Sequence, residues 1–475
     1  MEDFVHLHVH TQYSILDGQA SIPALVDKAI GNKMRGMAVT DHGNMMGIKE
    51  FYNYAQKVIG KAKGALAAAK AELDALHAPD CTLSPEKRAA KEEELNKAIE
   101  KQQRIADFKP IFGCEAYVAR RGDKTLREGK QDQSGWHLIL LAKNEKGYHN
   151  LVKIVSRSWV DGFYMRPRTD HKDLETYSAG NICCSACLGG ERPQKILNGR
   201  IEEAEQAVQW FKRVFGDDYY LELQRHKVTD PSINANRETY PLQEQVNKEL
   251  LALAAKYGVK TICSNDCHFV NEENAEAHDR LICLSTGKDL NDPTRMLYTK
   301  QEWFKTREEM NAVFADLPET LRNTCEICDK IETYSIDHAP IMPNFGIPED
   351  FGTEEQYRQR LTEEQLYDEF TQDENGNVVM SREEGLSKIK KLGGFDKLYR
   401  IKLEADYLAK LAYEGAKKRY GDPLDEETSE RIKFELHIMK TMGFPGYFLI
   451  VQDFIRAARE ELDVSVGPGR GSAAG

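Results

Sequence analysis

The chain has 475 residues, 41% of them hydrophobic and 30% charged, with a net charge of −12. At roughly 100–200 residues per domain, this length predicts two to four units, and the acidic balance argues against a protein whose main task is to coat nucleic acid. No apolar run approaches the ~20 residues that span a bilayer and no signal peptide is read at the N-terminus, so the expected compartment is cytoplasmic, with no membrane partner and with the ten cysteines held as thiols.

Seven short apolar runs read as buried strands: FVHLHV (4–9), MRGMAVT (34–40), KPIFGCEAYV (109–118), HLILLA (137–142), GNICCSA (180–186), DYYLEL (218–223) and KTICSND (260–266). Amphipathic helices are expected at 22–33, 144–160, 201–216 and 241–258. Strands alternating with helices over this length predict a parallel, barrel-like α/β architecture. Residues 57–108 break the pattern. They are rich in Ala, Lys and Glu and are interrupted by HAPDCTLSP, which predicts a projecting hairpin of two helices. A solvated insertion is the leading reading of it, and a contact arm for DNA or a partner the other. Beyond about residue 285 the chain turns helical. A helix is expected at 316–331, an extended proline-bearing connector at 337–351 and a hairpin around Asn375-Gly376 within 370–381. Long helices follow at 400–421 and 425–444. The end of the chain, a strand-like VSVG followed by PGRGSAAG, reads as a protein cut short after that motif.

Metal-type residues collect at the strand ends. His8 and His10 close the first strand, Asp41 and His42 the second, and Asp266 and His268 the last; Glu115 lies in the third, and Cys187 follows the fifth. In barrel enzymes such ends build one shared site. In H-x-H on a strand both side chains face one way, because the side-chain period is two; by the same rule His6 is expected on that face, behind the ligands. His137 starts a strand, which fits this geometry less well. Histidine with carboxylate suits Zn, Mn or Fe, and a thiolate favours Zn. Two C-x-x-C pairs occur. Cys325/Cys328 lacks histidine or cysteine neighbours and is expected in a core, as are Cys183 and Cys184.

The segments HLHVHT, LDG, TDHGNM, GCEAYV, WHLILLA and SNDCHF together resemble the PHP (polymerase and histidinol phosphatase) domain, in the form found at the start of bacterial replicative C-family DNA polymerases. LYTKQEWFKTREEMNAVFADLPETLRNTCEIC, MGFPGYFLIVQDFI and VGPGRGSAAG extend the resemblance toward the end of the chain. It implies a distorted (β/α)7 barrel over 1–284, with 57–108 inserted. The N-terminal part of an α+β palm of the β-type nucleotidyltransferase class would follow over 285–475, with an insertion near 358–400. It implies nine ligands, His8, His10, Asp17, His42, Glu115, His137, Cys187, Asp266 and His268, for up to three Zn²⁺ or Mn²⁺ ions. The activity implied is a metal-dependent phosphoesterase, in this family a 3′–5′ exonuclease; a metal-stabilised scaffold, a stand-alone PHP phosphatase and a pyrophosphatase are the alternatives. Arg470, Gly471 and Ser472 match a motif that contacts the incoming nucleotide's triphosphate, a Gly-rich stretch able to cradle phosphate. The Mg²⁺-binding aspartates of the polymerase are expected downstream of that motif, so this chain alone is not expected to extend a primer. Primer-template DNA, dNTP, the sliding clamp and other replicase subunits are the implied partners.

Overall fold

The computed structural model describes residues 1–78, 83–338, 341, 343–467 and 469. The chain divides into two compact units, 1–337 and 338–475. Residues 285–337, grouped by sequence with the second part, pack with the first unit.

The first unit contains β1 (Gly36–Val39), β2 (Lys109–Ala119), β3 (Gly135–Ala142), β4 (Phe163–Tyr164), β5 (Arg166–Thr169), β6 (Asn181–Cys184), β7 (Tyr219–Gln224) and β8 (Lys260–Ser264). Its helices are α1 (Ile22–Gly31), α2 (Ile48–Leu76), α3 (Pro85–Ala106), α4 (Glu145–Val160), α5 (His171–Tyr177), α6 (Glu191–Leu197), α7 (Ile201–Phe215), α8 (Thr239–Tyr257), α9 (Ala275–Thr286), α10 (Arg307–Val313) and α11 (Pro318–Lys330). The sheet runs β4-β5-β2-β3-β6-β7-β8, with β1 paired to the start of β2. The N-terminal segment joins its open edges. Ala38 N donates to His6 O on the β1 side, and Cys267 N donates to His8 O just beyond β8. Seven segments thus close a (β/α)7-type ring, with the small β4–β5 hairpin, not foreseen from sequence, outside it.

Period-two alternation sorts the strand residues into two buried layers. Leu138, Leu140, Cys183, Leu221 and Cys263 pack with helical residues such as Leu25, Phe51, Leu151, Phe211 and Leu250. Ile139, Leu141, Ile182, Cys184, Tyr220 and Ile262 face one another inside the ring, with Cys325 and Cys328 of α11 among them. Both of these cysteines are therefore core residues, as expected.

Two departures from the sequence reading position the site. The sheet is not all parallel: β3 runs antiparallel to both β2 and β6. And the N-terminal segment is not a regular strand. Ala38 N donates to His6 O, whereas Thr40 N donates to Val9 O, both at 2.8 Å, so two residues of β1 span three of its neighbour. Such a bulge flips the side-chain phase.

The helical hairpin at 57–108 is present. The first turns of α2 put Ile48, Phe51, Ala55 and Ile59 into the barrel layer, while its distal part meets α3 through a small separate cluster of Ala69, Leu76 and Leu95.

The second unit contains α12 (Glu354–Arg360), α13 (Glu363–Thr371), α14 (Arg382–Leu392), α15 (Phe395–Tyr420), α16 (Glu426–Thr441) and α17 (Pro445–Glu460). Its core is Tyr357, Leu366, Phe370, Ile389, Leu398 and Leu403. Most of that core comes from 358–400, the stretch expected as an insertion. The Asn375-Gly376 turn forms, but its flanks make only the single bridge Gln372↔Val378, and among the described residues this unit has no strand, at VSVG or elsewhere. Arg470, Gly471 and Ser472 lie outside the described residues.

Candidate metal centre

Each expected ligand reaches one end of the barrel by its own route. His8 and His10 follow the bulge, which turns them into the ring while leaving His6 on the opposite face. His6 instead packs on Phe304 at 4.1 Å between ring centroids, with Nε2 2.8 Å from Lys305 O. Burial holds its pKa down to about 3, so it is a neutral packing residue and does not stand behind the ligands. His42 follows β1 and bridges to Glu115 of β2. Cys187 follows β6, and Asp266 and His268 follow β8. His137 lies near the start of β3. Because β3 is antiparallel, its start lies beside the ends of its neighbours, and Tyr117 near the end of β2 is its register partner.

Asp17 arrives on the turn after the first segment. Gly18 makes that turn possible: a Cβ there would lie 2.0 Å from the Thr11 carbonyl oxygen. Three ligand loops hold a non-glycine residue at positive φ: Leu16, just before Asp17, has φ +62°, Asp266 has φ +45° and Ala186, just before Cys187, has φ +63°. Non-glycine residues in this region cost on the order of 1–3 kcal/mol, a cost typical of sites held by their surroundings.

Fully buried Glu115 stands at the middle. Its Oε1 lies 2.8 Å from His137 Nδ1, 3.3 Å from His8 Nε2 and 3.8 Å from Cys187 Sγ; its Oε2 lies 2.5 Å from His42 Nδ1. Asp266 Oδ1 lies 3.0 Å from His8 Nε2 and 3.2 Å from His10 Nε2, and those two nitrogens are 3.2 Å apart. Asp17 Oδ2 accepts from His42 Nε2 at 3.0 Å, and its Oδ1 lies 3.7 Å from His268 Nε2. Eight of the donors form three groups: His8/His10/Asp266 and His10/His42/His268, which share His10, and Glu115/His137/Cys187, which touches both through the Glu115 contacts to His8 and His42.

Three histidines are oriented by partners behind them. His8 Nδ1–H donates to Glu222 Oε1 at 2.7 Å. His10 Nδ1–H donates to Ser14 Oγ, which in turn donates to Asp41. His268 Nδ1–H donates to the Asp266 carbonyl at 2.8 Å. Each bond fixes the tautomer and leaves the Nε2 lone pair facing the cluster, the arrangement that supports metal-bound imidazole. Asp41, a strand-end candidate, is thus a supporting residue: it accepts from Thr11 and Ser14. Sequence reasoning missed Glu222, Tyr298, whose hydroxyl donates to Asp17 Oδ1 at 2.9 Å, and buried His278, whose Nε2 lies 3.8 Å from the same oxygen. None stands in a recognisable spacing, though Glu222 inside the apolar run DYYLEL is a buried carboxylate that needs a partner.

The charges are mutually arranged. Burial opposes ionisation of Glu115, but His137 and His42 outweigh it and hold the carboxyl well below its usual range. Burial likewise opposes charge on His8, yet Asp266 and Glu222 raise it well above the ordinary value. Burial, His42 and His268 lower His10 to about 3. Burial, with Asp266 and Glu115 nearby, pushes the Cys187 thiol up.

A cation fits this donor set. Asp266 Oδ1 and His268 Nε2 are buried and make no hydrogen bond. Donor separations of 3.0–3.2 Å also approach the ~3.4 Å edge of a tetrahedron built on bonds of about 2.1 Å.

Residues 6–226 match the PHP domain family, and residues 406–475 match the bacterial DNA polymerase III alpha NTPase domain. The DNA polymerase III subunit alpha of Borreliella burgdorferi is 36% identical over 474 residues, which are 99% of this chain and 32% of that protein. The Campylobacter jejuni protein of that name is 32% identical over 100% of this chain and 33% of its own length. The Thermus aquaticus protein is 35% identical over 99% and 35%. The chain therefore spans about a third of the length of these relatives. The resemblance read from the motifs is borne out at both ends of the sequence and along nearly all of it: the chain carries a PHP domain and is homologous, over its whole length, to about a third of the length of the bacterial DNA polymerase III alpha subunits.

Proposed function

We propose that the donor cluster is a metal centre that hydrolyses the terminal phosphodiester at the 3′ end of a DNA strand, within a protein whose wider task is template-directed DNA synthesis in the cytoplasm. The carrying observation is the convergence of nine donors, His8, His10, Asp17, His42, Glu115, His137, Cys187, Asp266 and His268: eight of them fall into three groups, two of which share His10, and Asp17 reaches His42 Nε2 at 3.0 Å. We assign these nine as ligands of up to three Zn²⁺ or Mn²⁺ ions. Bound there, such ions would supply Lewis-acid stabilisation of phosphate oxygens and a source of hydroxide near neutral pH.

The chain's own residues do the rest. Glu115 joins two donor groups through its two oxygens. Glu222, Ser14 and the Asp266 carbonyl hold three imidazoles in one tautomer. Asp17 and His137, each with 25% of the side chain exposed, leave one side of the cluster open to a substrate, whereas His8, His10 and Glu115 are closed off. A purely structural metal site is closed all round; the open side therefore favours catalysis over a metal-stabilised scaffold.

The PHP domain in this reading is the ring, with α2–α3 as its insertion, and the region from 338 on belongs to the polymerase part. There Arg470, Gly471 and Ser472 would serve the nucleotide triphosphate. Mg²⁺, primer-template DNA, dNTP, the clamp and other replicase subunits are requirements of the whole polymerase. No helix among the described residues is long and apolar enough to cross a membrane.

The test is His8→Ala, assayed with Zn²⁺ or Mn²⁺ on a primer with a 3′ mismatch. A loss of at least a hundredfold in hydrolysis, with a small change in melting, supports the assignment. Collapse of stability in a protein with no activity to lose supports the scaffold instead.

A further inference from the structure

We propose that the exposed aromatic shelf beside the metal centre is the seat of unpaired nucleotides at the 3′ end of the substrate strand. This rests on the hydrolase reading above and adds which form of the strand is bound and by what.

Trp159, at the end of α4, and Phe163, in β4, stack on each other with ring centroids 5.4 Å apart and planes 15° apart. Each nevertheless keeps 42% of its surface exposed. Met165, Ile15 and Met46 are more exposed still. These five residues line one cavity together with Arg166, and that cavity also takes in Asp17 and His42. The shelf is therefore a continuation of the metal centre.

It is also tied to the ligand loop. Trp159 Nε1 donates to the carbonyl of Gly43 at 2.8 Å, and Gly43 N donates to Glu115 O at 2.8 Å. The indole is thereby fixed next to His42, with its neighbour Phe163 beyond it. Arg166 is exposed and makes no ion pair among the described residues.

The chemistry selects the occupant. Flat apolar rings beside a free guanidinium suit a stacked base with its phosphate, and every base has a face to offer. A base inside a duplex does not offer its face, so the shelf favours a frayed or mismatched end. The cluster's other opening, lined by Gln224, His226, Asn236, Thr239 and Tyr298, has no comparable exposed stack. A protein partner on the shelf would sit in the path of the substrate.

The experiment compares Phe163→Ala, Trp159→Phe and the wild-type chain, each supplied with Mn²⁺, on two substrates: a single-stranded oligodeoxynucleotide and dimethyl phosphate, a small diester with no ring to stack on the shelf. Loss of one stacking partner is expected to lower the ratio of kcat/KM on the oligonucleotide to that on the small diester about tenfold in Phe163→Ala. Trp159→Phe keeps a ring and is expected to lose less. Arg166→Gln is expected to flatten the salt dependence of oligonucleotide binding by about one unit of slope. An unchanged ratio in Phe163→Ala overturns the shelf, and leaves it as a surface for something other than the strand. If the wild type cleaves neither substrate, the hydrolase reading itself fails.

Discussion

Two single buried ionisable groups act differently: Glu222 supports a donor of the site, and Lys305 bears on the stability of the fold. Glu222 touches no other proposed ligand, yet its carboxylate fixes His8 and is itself held by Ser264 and Gln224. Glu222→Gln keeps the shape and loses the charge, so it is expected to weaken metal binding roughly 10- to 100-fold, read by competition with a chromogenic chelator. Unaltered affinity would mean that His8 needs no such support. Lys305 is buried beside Trp303, and burial lowers its pKa from 10.5 to about 8. Its folded pKa lies below its unfolded one, so the cost of burying the charge is fully present below pH 8. Between about pH 8 and 10.5 the unfolded state holds more protons, and stability rises with pH through this group. Lys305→Met removes that dependence. The stability of the variant relative to wild type is expected to fall by roughly 3 kcal/mol across the window, measured by urea unfolding at matched pH values; a constant gap would show that the ammonium is not strained.

Among the elements, the helical hairpin and the barrel strands differ in what they owe to tertiary context. The distal α2–α3 contact has its own small cluster and its outer face is charged, whereas Ile48, Phe51, Ala55 and Ile59 belong to the barrel layer. Replacing 63–103 with a short Gly/Ser linker is expected to leave metal stoichiometry intact and shift Tm by only a few degrees; loss of metal would make the hairpin part of the site. The hairpin was legible because Ala, Lys and Glu carry helix propensity locally. The strand segments were legible for the same kind of reason, as short apolar runs. What a local pattern does not encode is direction and phase. HLILLA has no mark of running antiparallel, and that direction is what brings His137 to the cluster. FVHLHV alternates evenly, and only the hydrogen bonds from Ala38 and Thr40 reveal the bulge that separates His6 from His8 and His10. Nor does Glu222 announce itself, since its role depends on a histidine 214 positions away. The nine-residue set came from the family resemblance, and the geometry gathers all nine.

At the scale of the whole chain, each of the two compact units buries its own hydrophobic residues, and the donors of the proposed metal centre all belong to the first, at positions 8 to 268 of its 337 residues. Thermal unfolding tests the division itself. An ion that binds the folded first unit stabilises that unit alone, by about 2.7 kcal/mol at a hundred times its Kd. Spread over an unfolding entropy of roughly 2.1 cal/mol/K per residue, this moves the first unit's transition by about 4 °C per ion. Calorimetry with Zn²⁺ and then with a chelator should therefore show two transitions, one displaced by several degrees and the other fixed, with the fixed one retained in a chain beginning at 338. If both transitions move together, the ions stabilise a single cooperative body and the two units do not melt independently.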